Sequence, residues 1–100
     1  FDSDSLDAAA KRDLDGVAGV LERNAGLSLA ITGFTDSSGD PAYNLNLAER
    51  RAGAAKRYLV ARGVAANRVT TETLGASGFL GSNDTPEGRA ANRRIELELK

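Results

Sequence analysis

The sequence predicts a two-layer α/β sandwich of α+β type, with amphipathic helices laid on one face of a mixed sheet. Three observations carry that expectation. Leu6, Ala10, Leu14, Val17 and Leu21 recur at spacings of three and four, the period of a helix with one apolar face. Leu27, Leu29 and Ile31 alternate with Ser28, Ala30 and Thr32, the period of a strand covered on one side. The closing stretch alternates as well, with Ile95, Leu97 and Leu99 set against Glu96, Glu98 and Lys100. Helical and extended periods take turns between these, so the elements read αβαβ(α)β.

Each element has its punctuation. Ser5 is placed to cap the first helix, which stops near Asn24-Ala25-Gly26, where glycine supplies a left-handed end. The first strand runs into Gly33 and the loop FTDSSGD. Asp40 then caps a second helix that has Pro41 at its first position, where the missing N–H costs nothing. That helix extends to Arg62 and is closed by Gly63. Residues 68–74, rich in Val and Thr, suit a strand, and 75–84 read as an irregular loop. Thr85-Pro86-Glu87 combines a cap, a first-turn proline and a first-turn acid, so a short helix is expected over 87–92. The opening Phe1-Asp2-Ser3-Asp4 reads as the tail of a strand entering a helix, which implies a first strand truncated at the front of a domain cut from something longer. Without internal repeats or a linker-like tract, residues 1–100 are expected to form one domain.

Composition removes several function classes. Among 100 residues, 13 basic and 14 acidic side chains give a net charge of −1, no basis for nonspecific binding to nucleic acid or to an anionic membrane. Cysteine and histidine are both absent, so disulfides, thiolate nucleophiles, Cys/His zinc sites and imidazole acid–base chemistry are excluded. Asp36, Asp40 and Asp84 do not follow the spacing of a calcium loop. Gly75, Gly78 and Gly81 do not form a phosphate loop followed by lysine, and no acid pair points to glycan hydrolysis. No apolar run is long enough to span a bilayer, and no secretory signal opens the chain. The expectation is a binding domain without catalysis, metal or cofactor, and without direct membrane insertion by this segment.

The most informative stretch is TGFTDSSGDPAYNLNLAERR, residues 32–51. It sets Asp36 just past a strand and Arg51 on the next helix, within an apolar stripe of Leu47, Ala54, Ala55 and Tyr58. A guanidinium on the sheet-facing side needs a carboxylate, and Asp36 is the nearest candidate in topology. Such a pair suits a ligand that carries both charges. Plainer readings stand beside it: Asp36 as a turn former before Ser37-Ser38-Gly39, Arg51 as its structural partner or snorkelling past the sheet edge. Arg50 lies about 100 degrees from Arg51 on the helix and, with Arg57, should face solvent.

Taken in order, Gly33-Phe34-Thr35-Asp36, YNLNLAERRA over 43–52 and EGRAANRRIEL over 87–97 resemble the OmpA-like peptidoglycan-binding domain. That domain occurs at the C-terminus of outer-membrane porin-type proteins, in peptidoglycan-associated lipoproteins and in flagellar stator proteins. The resemblance covers essentially the whole chain, with FDSDS matching the end of the family's first strand. It implies a βαβαβ-type fold in the periplasm or cell envelope, as part of an outer-membrane-associated protein. It also implies noncovalent attachment to peptidoglycan through the diaminopimelate of the peptide stem. By the resemblance, Asp36 meets the ligand's ammonium and Arg51 its carboxylate. Thr35, Asn44 and Leu47 surround the ligand, and the Asn92-Arg93-Arg94 segment lends polar support.

Three positions depart from the family's pattern: Phe34 where histidine is frequent, Ala48 for a serine, and Ala76 for a glutamate. Lysine-type stems have the ammonium without the carboxylate and would offer Arg51 no anion. Tyr43 is expected to pack against the loop. The rival reading is a degenerate copy of the fold that serves as a protein-interaction or structural module.

Overall fold

Leu29 and Ile31 are completely buried, and the strand that carries them, β1 (Leu29–Phe34), occupies the centre of the sheet. The computed structural model describes residues 6–37, 39–75 and 81–100. In chain order α1 (Ala8–Arg23) precedes β1, and α2 (Pro41–Ala61), a 3₁₀ turn (Ala66–Arg68), β2 (Val69–Gly75), α3 (Pro86–Asn92) and β3 (Ile95–Leu99) follow it. Among the described residues three strands lie in the order β2-β1-β3. β1 runs parallel to β2, with Leu29 opposite Val69, and antiparallel to β3, with Leu29 opposite Leu99. The parallel pair requires a crossover, which α2 supplies. This mixed α/β arrangement, helices against a three-stranded mixed sheet, is the architecture the periodicities predict.

The helix ends follow local chemistry. Asp7, rather than Ser5, caps α1, its Oδ1 accepting from the Ala10 N–H at 2.8 Å; Ser5 lies outside the described residues. Asp40 caps α2 with Pro41 in the first turn, and Thr85 caps α3 with its Oγ1 accepting from the Gly88 N–H. α2 ends in a Schellman motif. Gly63, at φ +98°, donates to Val60 O, and Val64 donates to Leu59 O. Val64 and Leu59 are both buried, the apolar contact that accompanies this cap.

The buried line of α2 is Ala48, Ala52, Ala55 and Leu59, joined by Leu47. This is a rotation from the expected stripe: Arg51, Ala54 and Tyr58 are half-buried and form the flank beside it. That flank faces α1. Tyr58 Oη donates to Asp15 Oδ1 at 2.8 Å, and Arg62 Nε reaches the same oxygen at 3.0 Å. The Arg62 guanidinium also lies over the Tyr58 ring, 4.5 Å from its centroid. Further along, Arg68 donates to the carbonyls of Leu21, Asn24 and Leu27, closing the orphaned C-terminal end of α1. Arg50 and Arg57 face solvent as expected.

At Gly33 the α2 backbone lies close against the sheet. A Cβ there would stand 2.5 Å from the backbone oxygen of Ala48, so α2 could not keep its place over β1. Gly33→Ala is expected to cost about 1–3 kcal/mol, read as a lower urea midpoint at unchanged m-value.

Asp15 sets a second expectation. The Tyr58 hydroxyl and then the Arg62 guanidinium hold its carboxyl below the ordinary value of 3.8. A carboxyl whose folded pKa is depressed adds stability that is complete above its unfolded pKa and is lost as pH falls through the folded one. The melting-temperature gap between the wild type and Asp15→Asn should therefore be constant near neutrality and narrow as pH falls below that ordinary value of 3.8. A gap independent of pH would remove Asp15 from the link between α1 and α2.

Candidate functional site

Thr35 and Asp36 follow β1 directly, at the carboxyl edge of a parallel pair, where open sheets commonly bind ligands. Both are buried, each 3% exposed. An ionised carboxylate so far from water needs a cation and hydrogen bonds. Arg93, the residue that ends α3, supplies a cation: its Nη1 donates to Asp36 Oδ2 at 2.5 Å. Arg51 is the partner that the helical stripe suggests for Asp36. The ion pair with Arg93 reaches it from 57 positions along the chain.

Arg93 also opens onto a cleft of about 780 Å³ between α1, α2, α3 and β3. Arg51 lines that cleft from α2, Asp7 and Asp13 line it from α1, and Arg94 joins Arg93 at its far wall. Ile95 and Leu97 supply apolar surface beneath. Arg51 and Arg93 thus share one concavity, and Arg93 links it to Asp36. The cleft brings guanidinium groups, carboxylates and apolar side chains together.

A polar clamp fixes Arg93. Asn92 is completely buried. Its Oδ1 accepts from the Gly81 N–H, and its Nδ2 donates to Gly81 O and to Asn83 Oδ1, all at 3.0 Å. Asn83 Oδ1 accepts in turn from the Ser37 N–H at 3.1 Å, next to Asp36. The loop before α3 is pressed close: a Cβ on Gly88 would fall 1.9 Å from Ser82 O. Asn92 therefore acts by holding the two loops together, and at zero exposure it is not available to touch a ligand.

The remaining expected site residues separate by burial. Leu47 is 3% exposed and belongs to the buried line of α2. Asn44, in the first turns of α2, is half-buried, and its N–H donates to Asp40 O. Tyr43 is 46% exposed, near the start of α2. Ala76 lies outside the described residues. Phe34 presents its ring face to a cation. The Arg94 guanidinium lies over that ring at 4.0 Å, while Arg94 Nε donates to Glu96 Oε2 at 2.8 Å. Ala48 is buried where β1 meets α2, its carbonyl facing Gly33. Among the described residues no group of three His, Cys, Asp or Glu could hold a metal ion, and no helix is long and apolar enough to cross a membrane.

Helices on a mixed sheet, an acid at the end of β1 and arginines around a neighbouring cleft define a domain with a charged concave site. The sequence profile of the OmpA family matches residues 1–93, and the chain belongs to that family. It is 42% identical over 99 residues to outer membrane protein A of Bordetella avium, covering 99% of this chain and 51% of that protein. It is also 42% identical over 96 residues to the peptidoglycan-binding protein ArfA of Mycobacterium tuberculosis, covering 96% of this chain and 29% of that one. The chain thus spans about half, or less, of these relatives. In three dimensions it matches the peptidoglycan-associated lipoprotein of Burkholderia pseudomallei with a TM-score of 0.92 at 30% identity, over 100% of this chain and 85% of that one.

The Asp36–Arg93 pair should behave as a buried unit with unequal partners. Arg93→Gln leaves a carboxylate at 3% exposure and is expected to cost about 3–5 kcal/mol. Asp36→Asn should cost less, since an arginine beside a cleft has somewhere to turn. The double variant should cost less than the sum in chemical denaturation; strict additivity would mean the two groups do not act together.

Proposed function

We propose that this domain binds peptidoglycan noncovalently and anchors a larger envelope protein to the wall, residues 1–100 forming one binding unit. The supporting observation is the juxtaposition just described: a buried carboxylate, Asp36, that Arg93 links to a cleft that Arg51 lines. Membership of the OmpA family and the likeness to a peptidoglycan-binding protein and a peptidoglycan-associated lipoprotein support the polymer as the partner. Relatives that are outer-membrane proteins and lipoproteins support a place in the cell envelope, on the periplasmic side.

The finer reading is diaminopimelate recognition. The free end of that side chain carries an ammonium and a carboxylate. Asp36 takes the ammonium, and Arg51 grips the carboxylate with paired, directional bonds. In this reading Thr35, Asn44 and Leu47 surround the ligand. Each charge-assisted bond contributes roughly 1.5–3 kcal/mol, so a single stem is held modestly. Repeated stems along the polymer raise retention through rebinding. No chemical step is needed, and none is assigned.

Tyr43 and Leu45, 46% and 45% exposed on the first turns of α2, favour a second reading, a module that engages another protein. Calorimetric titration separates the two. A diaminopimelate-containing muropeptide is expected to bind, its lysine-containing analogue to bind at least about tenfold more weakly, and folded Arg51→Ala to lose the difference. Absence of heat with either ligand, together with failure to co-sediment with intact wall, would leave the interaction module.

A further inference from the structure

The position of Arg93 has a consequence for how a ligand enters. The guanidinium occupies the Asp36 carboxylate at 2.5 Å, and Asp36 itself is 3% exposed. An ammonium arriving from the cleft meets Arg93 first. The Arg93 side chain is 18% exposed and borders the same cleft as Arg51. It ends α3, whose last turn is fixed by the Asn92 amide, so the backbone stays in place while the long side chain can turn about its own bonds.

The geometry points to a cation exchange, an inference that rests on the diaminopimelate reading. Arg93 is a built-in counter-ion of Asp36 that the ligand's ammonium replaces, and the released guanidinium turns toward Arg51 to help hold the ligand's carboxylate. The charges balance throughout. Asp36 exchanges one cation for another, and Arg93 exchanges a protein carboxylate for a ligand carboxylate. No bond is made or broken beyond hydrogen bonds and ion pairs.

Arg93 is then a specificity-determining residue. A neutral group displaces it poorly, because the buried carboxylate would lose an ion pair and gain none. An ammonium without a carboxylate displaces it poorly, because the guanidinium gains no new anion from the ligand. A ligand must bring both charges, with a separation that fits.

The exchange is tested with a probe that has an ammonium and no carboxylate, Nα-acetyl-lysine amide. Its effect on thermal unfolding is followed for the wild type, Arg93→Gln and Asp36→Asn, beside calorimetry of the wild type with the diaminopimelate muropeptide. The probe is expected to bind Arg93→Gln at least about tenfold more tightly than the wild type, one charge-assisted contact converted to affinity, and to leave Asp36→Asn unmoved. Should Arg93→Gln be unfolded on its own, added probe is expected to refold it by mass action.

Equal effects on all three proteins, or an unfolded Arg93→Gln that no concentration of probe restores, would overturn the exchange. Muropeptide heat with the wild type in that case would leave the wall-binding reading intact. Probe binding to Arg93→Gln without any muropeptide heat would support Asp36 as an ammonium site and sink the wall-binding reading instead.

Discussion

A carboxylate buried at the end of β1 constrains the whole site. Asp36 is shielded almost entirely from water, and an ionised group there keeps its charge only beside a cation. Arg93 brings one from the end of α3, so α3 must be held where its end faces the end of β1. Much of the irregular structure near the site serves that requirement. Gly81 and Gly88 let the loop and helix pack backbone to backbone. Asn92 bonds that loop through both ends of its amide, and Asn83 passes the connection to Ser37. One ion pair sets the demand, and a network of neutral amides meets it.

The far end of the molecule is fastened differently. Arg68 gathers three carbonyls at the C-terminal end of α1, and Asp15 ties α1 to Tyr58 and Arg62 of α2. These contacts are polar and partly solvated, so each stabilises modestly. Their value lies in placement. With the later turns of α1 fixed by Leu14 and Leu21 in the core, its early turns form the wall that brings Asp7 and Asp13 into the cleft with Arg51. The same flank of α2 holds α1 at one end and lines the cleft at the other.

Much of this was legible in the sequence where the signal is local. Asp40-Pro41, Thr85-Pro86 and Gly63 mark helix ends through chemistry confined to a few residues, and the structure places the ends there. The alternation of the last strand is visible because polar and apolar residues differ sharply. The buried line of α2 was harder to read. Alanines occupy positions 52, 54 and 55 alike, and a residue that small marks no face. The stripe through Arg51 and Tyr58 was therefore offset from the true line of Ala48, Ala52, Ala55 and Leu59. The match of Asp36 with Arg93 had no local signal, because 57 positions separate them and only the packing of α3 joins them. Asn92 carried a faint one: it sits four residues after Gly88, on the helix face that meets the loop.

The departure at Phe34 is best understood through charge. An aromatic ring in place of a hydrogen-bonding one loses a polar contact, yet its face attracts a cation. Here that face receives Arg94, which Glu96 also holds. Ring and surface acid together keep Arg94 at the cleft wall beside Arg93. This matters because a guanidinium whose position depended on Asp36 would be dislodged whenever an outside ammonium reached that carboxylate. With Arg94 held by Phe34 and Glu96, the wall does not depend on the cation exchange proposed at Asp36. In the exchange proposed above, Arg93 gives way to an incoming ammonium, one cation for one, and the interior gains no net charge.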